Sequence, residues 1–148
     1  MRRLIAVVVA GQLVAASSLT GQATKEVMAI AGATNPVLSA AIKAGDLLFL
    51  SGQLGTVPGG RGLAPGGIKA ETQQTLENVK RVVEAAGSSM ERVVKCTVFL
   101  IDIAEFGAMN EVYRTFFPKD PPTRSTVAVA GLVLNARIEI ECLALAGK

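Results

Sequence analysis

The sequence contains no histidine, and this absence limits the chemistry that the chain can perform. Imidazole is a main ligand of zinc and copper sites, and it is the base in Ser-His and Cys-His nucleophile pairs. Neither arrangement can form here. Cys96 and Cys142 also do not make a CxxC pair. Any catalysis must therefore use arginine, carboxylates, hydroxyls, amides or water, and we expect no metal site.

Cysteine is scarce, and both cysteines lie in apolar strand patterns. Cys96 shares its register with Val94 and Val98, and Cys142 shares its register with Ile138 and Ile140. A thiol in such a position behaves as a small hydrophobic side chain. An oxidising compartment would permit a disulfide, but the pattern favours two buried free cysteines.

Long apolar runs are absent except at the start of the chain. Basic residues at positions 2 and 3 precede an apolar stretch that ends in the small-x-small sequence Gly21-Gln22-Ala23. This order is typical of a signal peptide. Gln12 and Ser17 interrupt the run before it could span a bilayer, so we expect no stable membrane association. The prediction is a signal peptide over 1–23 and a single domain over 24–148, periplasmic or secreted, and cytoplasmic if uncleaved.

Without the predicted signal peptide, the chain has no large excess of positive or negative charge. The whole chain carries 15 basic and 12 acidic side chains, and loss of Arg2 and Arg3 leaves 13 basic side chains. Nucleic-acid binding proteins usually carry a strongly basic surface. We therefore expect no nucleic-acid partner.

Apolar periodicity predicts an α+β fold. Strands are expected over residues 26–30, 38–42, 47–51, 92–101, 121–130 and 136–145, and helices over 68–86 and from Asp102 to Phe116. Both helices would cover one face of a mixed sheet, and the strand after the first helix would follow a parallel crossover. The aromatic stripe of the second helix is most simply core packing.

Charged residues alternate with apolar ones along the last strand. Arg137, Glu139 and Glu141 share one face, which is either solvated or part of a pocket or subunit interface. Arg124 lies at the entrance of the preceding strand. Ser51-Gly52-Gln53 ends a buried strand, and it is either a simple turn or a ligand contact. A sheet face without its own cover indicates a symmetric homo-oligomer.

Five segments in order resemble the RidA (YjgF) family of enamine and imine deaminases. They are residues 45–53 (GDLLFLSGQ), 76–80 (LENVK), 110–113 (NEVY), 122–126 (PTRST) and 138–141 (IEIE). The resemblance implies a chorismate-mutase-like fold, with two helices on a six-stranded sheet and three chains closing a β-barrel. It also implies a 2-iminobutanoate/2-iminopropanoate deaminase-like hydrolase that converts 2-aminoacrylate-type enamines and imines to 2-keto acids and ammonia.

The resemblance assigns roles to individual residues. Arg124 matches the arginine that holds the substrate carboxylate, and Glu139 matches the acid near the attacking water. Positions that line the pocket are matched by Ser51, Gly52, Asn110, Ser125 and Thr126. A protonated imine carbon is already electrophilic, so the expected reaction needs no cofactor. The expected partners are a small imine or keto-acid carboxylate and two further copies of the chain.

Three positions depart from the family pattern. Leu38 stands where many active members carry an aromatic residue, Thr126 replaces a frequent cysteine, and Val133 replaces part of a Leu-Pro pair. The carboxylate clamp is retained. A second hypothesis is a non-catalytic trimeric binder of small carboxylates, although such a binder gains nothing from Glu139. The ribonuclease activity of some relatives is disfavoured by the near-neutral charge.

Overall fold

The structure is a computed structural model, and it describes residues 24–31, 37–60 and 62–147. The predicted signal peptide and the loop expected at 32–36 lie outside these residues. Seven strands are present in the described part of the chain: β1 Lys25–Val27, β2 Ala41–Ala44, β3 Leu47–Leu50, β4 Gln53–Leu54, β5 Val93–Leu100, β6 Thr123–Ala128 and β7 Ile138–Leu145. The two helices are α1 Ile68–Ala85 and α2 Phe106–Phe116.

The strands form one mixed sheet in the order β1-β2-β3-β7-β5-β6, with β4 also paired to β7. All neighbouring pairs are antiparallel except β5 and β6, which are parallel. The predicted α+β class is therefore confirmed. Strands β3 and β5 run in the same direction, as expected for a crossover, but β7 lies between them.

The second strand of the hairpin is interrupted at Ser51-Gly52 and resumes as β4. From the pair Phe49–Leu143 to the pair Gln53–Ile140, the segment from β3 to β4 advances by four residues, whereas β7 advances by three. The extra residue is a bulge of the kind that redirects side chains near ligand sites.

Helices α1 and α2 cover one sheet face. Their apolar stripes are buried with the alternate residues of β3, β5 and β7, and these include Leu48, Leu76, Val79, Val98, Met109 and Ile140. Asn78 on α1 is also buried, and its Nδ2 donates to the carbonyls of Leu54 at 2.8 Å and Thr56 at 2.9 Å. The amide thereby fixes β4 to the helix layer.

The start of the second helix differs from the expectation. Asp102 caps a short 3-10 turn over Ile103–Glu105 by accepting from the Ala104 amide, and α2 begins only at Phe106. Glu105 does not close a capping box. Its carboxylate accepts instead from Arg137 Nη1 at 2.6 Å.

The prediction of two free cysteines is wrong, because Cys96 and Cys142 form a disulfide. They lie directly opposite each other on β5 and β7, and both face the core. Val94 does not share this face as expected. A register shift between Val93 and Lys95 leaves Val94 39% exposed, and Val93 is buried in its place.

Candidate functional site

The sheet has a second face that no helix of the described chain covers. It carries the residues of β3, β5 and β7 that alternate with the core, and several are apolar but exposed: Leu47 at 39%, Phe49 at 44% and Leu145 at 40%. A cavity of about 150 Å³ lies between these strands and is lined in part by Phe49, Lys95 and Glu141. We call this surface the open face.

Glu139 lies on the open face beside the interruption between β3 and β4. Its carboxylate packs against the α-carbon of Gly52 so closely that a Cβ at position 52 would overlap it. With glycine at position 52, the Glu139 carboxylate occupies this space beside the end of β3.

Ser51 and Gln53 flank Gly52, the residue that lies beside the Glu139 carboxylate. The Ser51 hydroxyl donates to the Ser39 carbonyl at 2.7 Å, so its oxygen can still accept a hydrogen bond. Gln53 Nε2 donates to the Ser51 carbonyl at 3.0 Å. Leu38 precedes Ser39 in the chain, and this residue is 53% exposed. Gln53 pairs with the core residue Ile140, so we call only Ser51, Gly52 and Glu139 the Glu139 cluster.

The pKa of Glu139 is raised above its ordinary value of 4.5, chiefly because burial penalises the charged form. The neighbouring carboxylate of Glu141 raises the pKa further. No basic side chain pairs with Glu139 among the described residues. A carboxylate with a raised pKa accepts a proton from water more readily than an ordinary one.

Arg124 lies on the helix-covered side of the sheet, at the edge strand β6. Its guanidinium carbon is 4.5 Å from the centre of the Tyr113 ring and 5.5 Å from that of Phe106. A pocket of about 390 Å³ opens beside it, lined by Asn110, Tyr113, Arg114, Phe117, Pro121, Pro122 and Arg124. We call it the Arg124 pocket.

The Arg124 pocket is positively charged. It contains two guanidinium groups, and none of its lining residues is acidic. Neither arginine forms an ion pair within the described ranges, although Arg114 Nε donates to the Asn110 carbonyl at 3.4 Å. A planar guanidinium without a carboxylate partner can bind a ligand carboxylate through two parallel hydrogen bonds.

Tyr113 forms the floor of this pocket and is only 5% exposed. Its hydroxyl is buried and has no hydrogen-bond partner in the part of the chain that the structure describes. Burial raises the pKa of Tyr113 to about 12, although the nearby positive charge of Arg124 acts in the opposite direction. The phenol therefore stays protonated at the pH of ordinary assays.

The predicted site residues lie on two different sides of the sheet. Asn110, Arg124 and Thr126 lie on the helix side, and the Thr126 hydroxyl is buried without a partner among the described residues. Ser125 pairs in register with Thr97 and therefore lies on the open face. Arg137 is not free for a ligand, because its guanidinium bonds Glu105 and its amide bonds the Glu71 carboxylate.

Arg124 and Glu139 are not brought together within one chain. Arg124 is level with Cys96 on β5, whereas Glu139 is level with Phe99, three residues further along and on the opposite face. Strand β5 separates the strands that carry them. Within one chain, a ligand at Arg124 is therefore separated from Glu139 by strand β5.

Tyr113 and Arg114 line the Arg124 pocket, although the sequence pattern does not predict this. Tyr113 belongs to the aromatic stripe predicted to pack in the core, and its burial confirms that prediction in part. The available signal was its spacing of three residues from Asn110, which places both on one helix face. Within the described ranges, no group of histidine, cysteine or acidic residues could hold a metal ion, and no helix is long and apolar enough to cross a membrane.

Comparison with known proteins identifies relatives across most of the domain. The family model described as Endoribonuclease L-PSP matches residues 28–146. The chain is 45% identical over 106 residues to Reactive Intermediate Deaminase A of Arabidopsis thaliana, covering 72% of this chain and 57% of that protein. It is 41% identical over 109 residues to the 2-iminobutanoate/2-iminopropanoate deaminase of Rattus norvegicus, covering 74% and 80%.

Solved structures show the same fold. The yeast protein YEO7 has a TM-score of 0.75 and 40% identity, with 84% of this chain and all of that chain covered. The Escherichia coli protein TdcF, solved with bound serine, has a TM-score of 0.72 and 36% identity, with 82% and 97% covered.

Proposed function

Because this chain belongs to the RidA (YjgF) family, we propose that it hydrolyses 2-aminoacrylate-type enamines and imines to 2-keto acids and ammonia. The observation that carries the proposal is the Arg124 pocket, which has two guanidinium groups, no acidic lining residue and an aromatic floor. Such a pocket fits a small organic carboxylate better than a neutral ligand.

The proposed reaction uses groups that this chain already has. Arg124 binds the substrate carboxylate, and Glu139 orients a water molecule toward the protonated imine carbon. The water oxygen bonds to that carbon while a proton passes to the Glu139 carboxylate. Glu139 then returns this proton to the nitrogen, the carbon–nitrogen bond breaks to release ammonia, and the hydroxyl loses its proton to water as the carbon–oxygen double bond forms. The raised pKa of Glu139 suits it to accept this proton.

The proposal requires a homo-oligomer, and we favour a trimer in which the open faces form a central barrel. Two observations support an assembly: exposed apolar side chains on the open face, and the position of Arg124 and Glu139 on opposite faces. Sedimentation equilibrium tests it. Phe49→Glu should dissociate the assembly, because it places three charges in a shared apolar interior. A parent that stays monomeric at micromolar concentration would contradict the shared site.

The activity test couples an amino-acid oxidase to the release of 2-keto acid, with and without the protein. We expect the parent to accelerate release and Arg124→Lys and Glu139→Gln to lose most of that acceleration. If Glu139→Gln matches the parent, the protein binds carboxylates at subunit clefts without hydrolysing imines. If both variants match the parent, the site lies elsewhere.

A further inference from the structure

Two aromatic side chains of α2 contact the guanidinium of Arg124. Phe106 and Tyr113 are seven residues apart, which places them two turns apart on one face of the helix. The Arg124 guanidinium lies within reach of both ring faces, and Tyr113 is the closer. Phe117 packs against Tyr113 with ring centres 4.8 Å apart, so the Tyr113 ring is itself held in place.

This contact matters because Arg124 has few other constraints. No acidic side chain pairs with Arg124 among the described residues, and its strand is at the edge of the sheet. A long side chain at such a position loses considerable rotamer freedom when it binds a ligand. A cation held over an aromatic ring has already lost part of that freedom.

We propose that Tyr113 is a positioning residue for carboxylate binding: its ring face holds the Arg124 guanidinium in the orientation that receives the substrate. The inference rests on the proposed function and extends it to a residue that orients Arg124 and takes no part in the chemical step. Phe106 contributes a second, weaker face, because it is further from the guanidinium and 38% exposed.

The inference is tested with 2-oxobutanoate as a carboxylate probe, measured by titration calorimetry on the full assembly. Tyr113→Leu should raise the dissociation constant about 2- to 30-fold, and KM should rise in parallel. Tyr113→Phe keeps the ring and should bind within about twofold of the parent. Phe116→Leu is the matched control, since this residue of the same helix packs toward α1 and should leave binding unchanged.

Combined substitutions at Tyr113 and Arg124 distinguish a positioning role of Tyr113 from a purely structural one. Once Arg124 is replaced by alanine, which removes the cation, loss of the Tyr113 ring should weaken binding much less than it does in the parent. Phe106→Leu tests the same contact from the exposed side if Tyr113→Leu fails to fold, and it should raise the dissociation constant about 2- to 5-fold.

The outcomes separate this inference from the proposed function. A parent that binds or converts carboxylate substrates while folded Tyr113→Leu and Phe106→Leu match it overturns the inference alone. If Tyr113→Leu causes equal losses in the parent and in the Arg124→Ala variant, the inference is overturned as well. A parent that neither binds 2-oxobutanoate nor accelerates keto-acid release overturns both the inference and the proposed function.

Discussion

Arg124 and Glu139 lie on opposite faces of one sheet, with strand β5 between them. Each has the surroundings that its proposed role requires: a positive, aromatic pocket for the arginine and a partly desolvated cluster for the acid. We propose that neighbouring chains each supply one of the two residues to a shared site.

This separation predicts complementation between two inactive variants. Arg124→Lys chains still supply Glu139, and Glu139→Gln chains still supply Arg124. After the variants are dissociated, mixed in equal amounts and reassembled, about one quarter of the shared sites should carry both native residues. Keto-acid release should recover to about that fraction of the parent rate. Mixtures that remain as inactive as the separate variants would contradict a shared site.

Arg124→Lys should reduce kcat/KM by about 10²- to 10³-fold while the fold is retained. Lysine keeps the charge but lacks the paired donors that orient a carboxylate, so the imine carbon is no longer held against the water near Glu139. Steady-state assays measure the loss, and circular dichroism checks the fold. Arg114→Lys in the same pocket is the comparison, and a loss of equal size there would mean that Arg124 has no special role.

Glu139→Gln should make the protein more stable at neutral pH. Because the folded-state pKa of Glu139 is raised above 4.5, its stabilising contribution is fully present at acid pH and is lost as pH rises through the folded pKa. The variant should match the parent near pH 4 and exceed it near pH 7 by less than about 1 kcal/mol, because solvent screens the charge.

Urea denaturation at the two pH values measures this difference. Glu84→Gln on the exposed side of α1 is the control for a general effect of removing one negative charge. A Glu139→Gln variant that is less stable than the parent at neutral pH would contradict the desolvation that raises the pKa of Glu139.

Reduction of the disulfide should lower the free energy of unfolding by about 2–4 kcal/mol. The bond closes a loop between residues 46 positions apart, and breaking it returns conformational entropy to the unfolded chain. Denaturation with and without a reductant measures the effect, and the double variant Cys96→Ala/Cys142→Ala should be insensitive to reductant. Intact mass spectrometry that finds two free thiols in carefully isolated protein would restore the original expectation.

The export prediction is tested independently of the fold. Mass spectrometry of protein recovered from its native host should show a first residue close to Thr24, because basic, apolar and small-residue segments precede that position in the order of a signal peptide. A structural disulfide is more usual in exported proteins, which supports the same prediction. Recovery of cytoplasmic protein that retains Met1 would reject it.

The order of elements could be read from the sequence because periodicity is local. The helix expected over 68–86 is observed as Ile68–Ala85, and the strand expected over 92–101 as Val93–Leu100. The disulfide could not be read in this way. It depends on β7 pairing with β5, and no local pattern specifies which strands become neighbours.

The candidate site is also only partly predictable from the sequence. The sequence indicates Arg124, Glu139 and Asn110 as site residues, but their distribution between the two faces of the sheet follows from strand register. Ser125 and Thr126 are consecutive, so their side chains must point to opposite sides of β6. The contact between Arg124 and Tyr113 joins a strand to a helix and depends on how the two layers pack.

The buried amide of Asn78 makes position 78 sensitive to substitution. Its two hydrogen bonds hold the carbonyls of Leu54 and Thr56, and Leu54 is the cross-strand neighbour of Glu139. Helix α1 therefore helps to fix the position of Leu54, the residue that pairs with Glu139. Asn78→Leu would remove the Asn78 donor from both carbonyls and would disturb the strand paired with Glu139, although residue 78 lies on the helix side of the sheet.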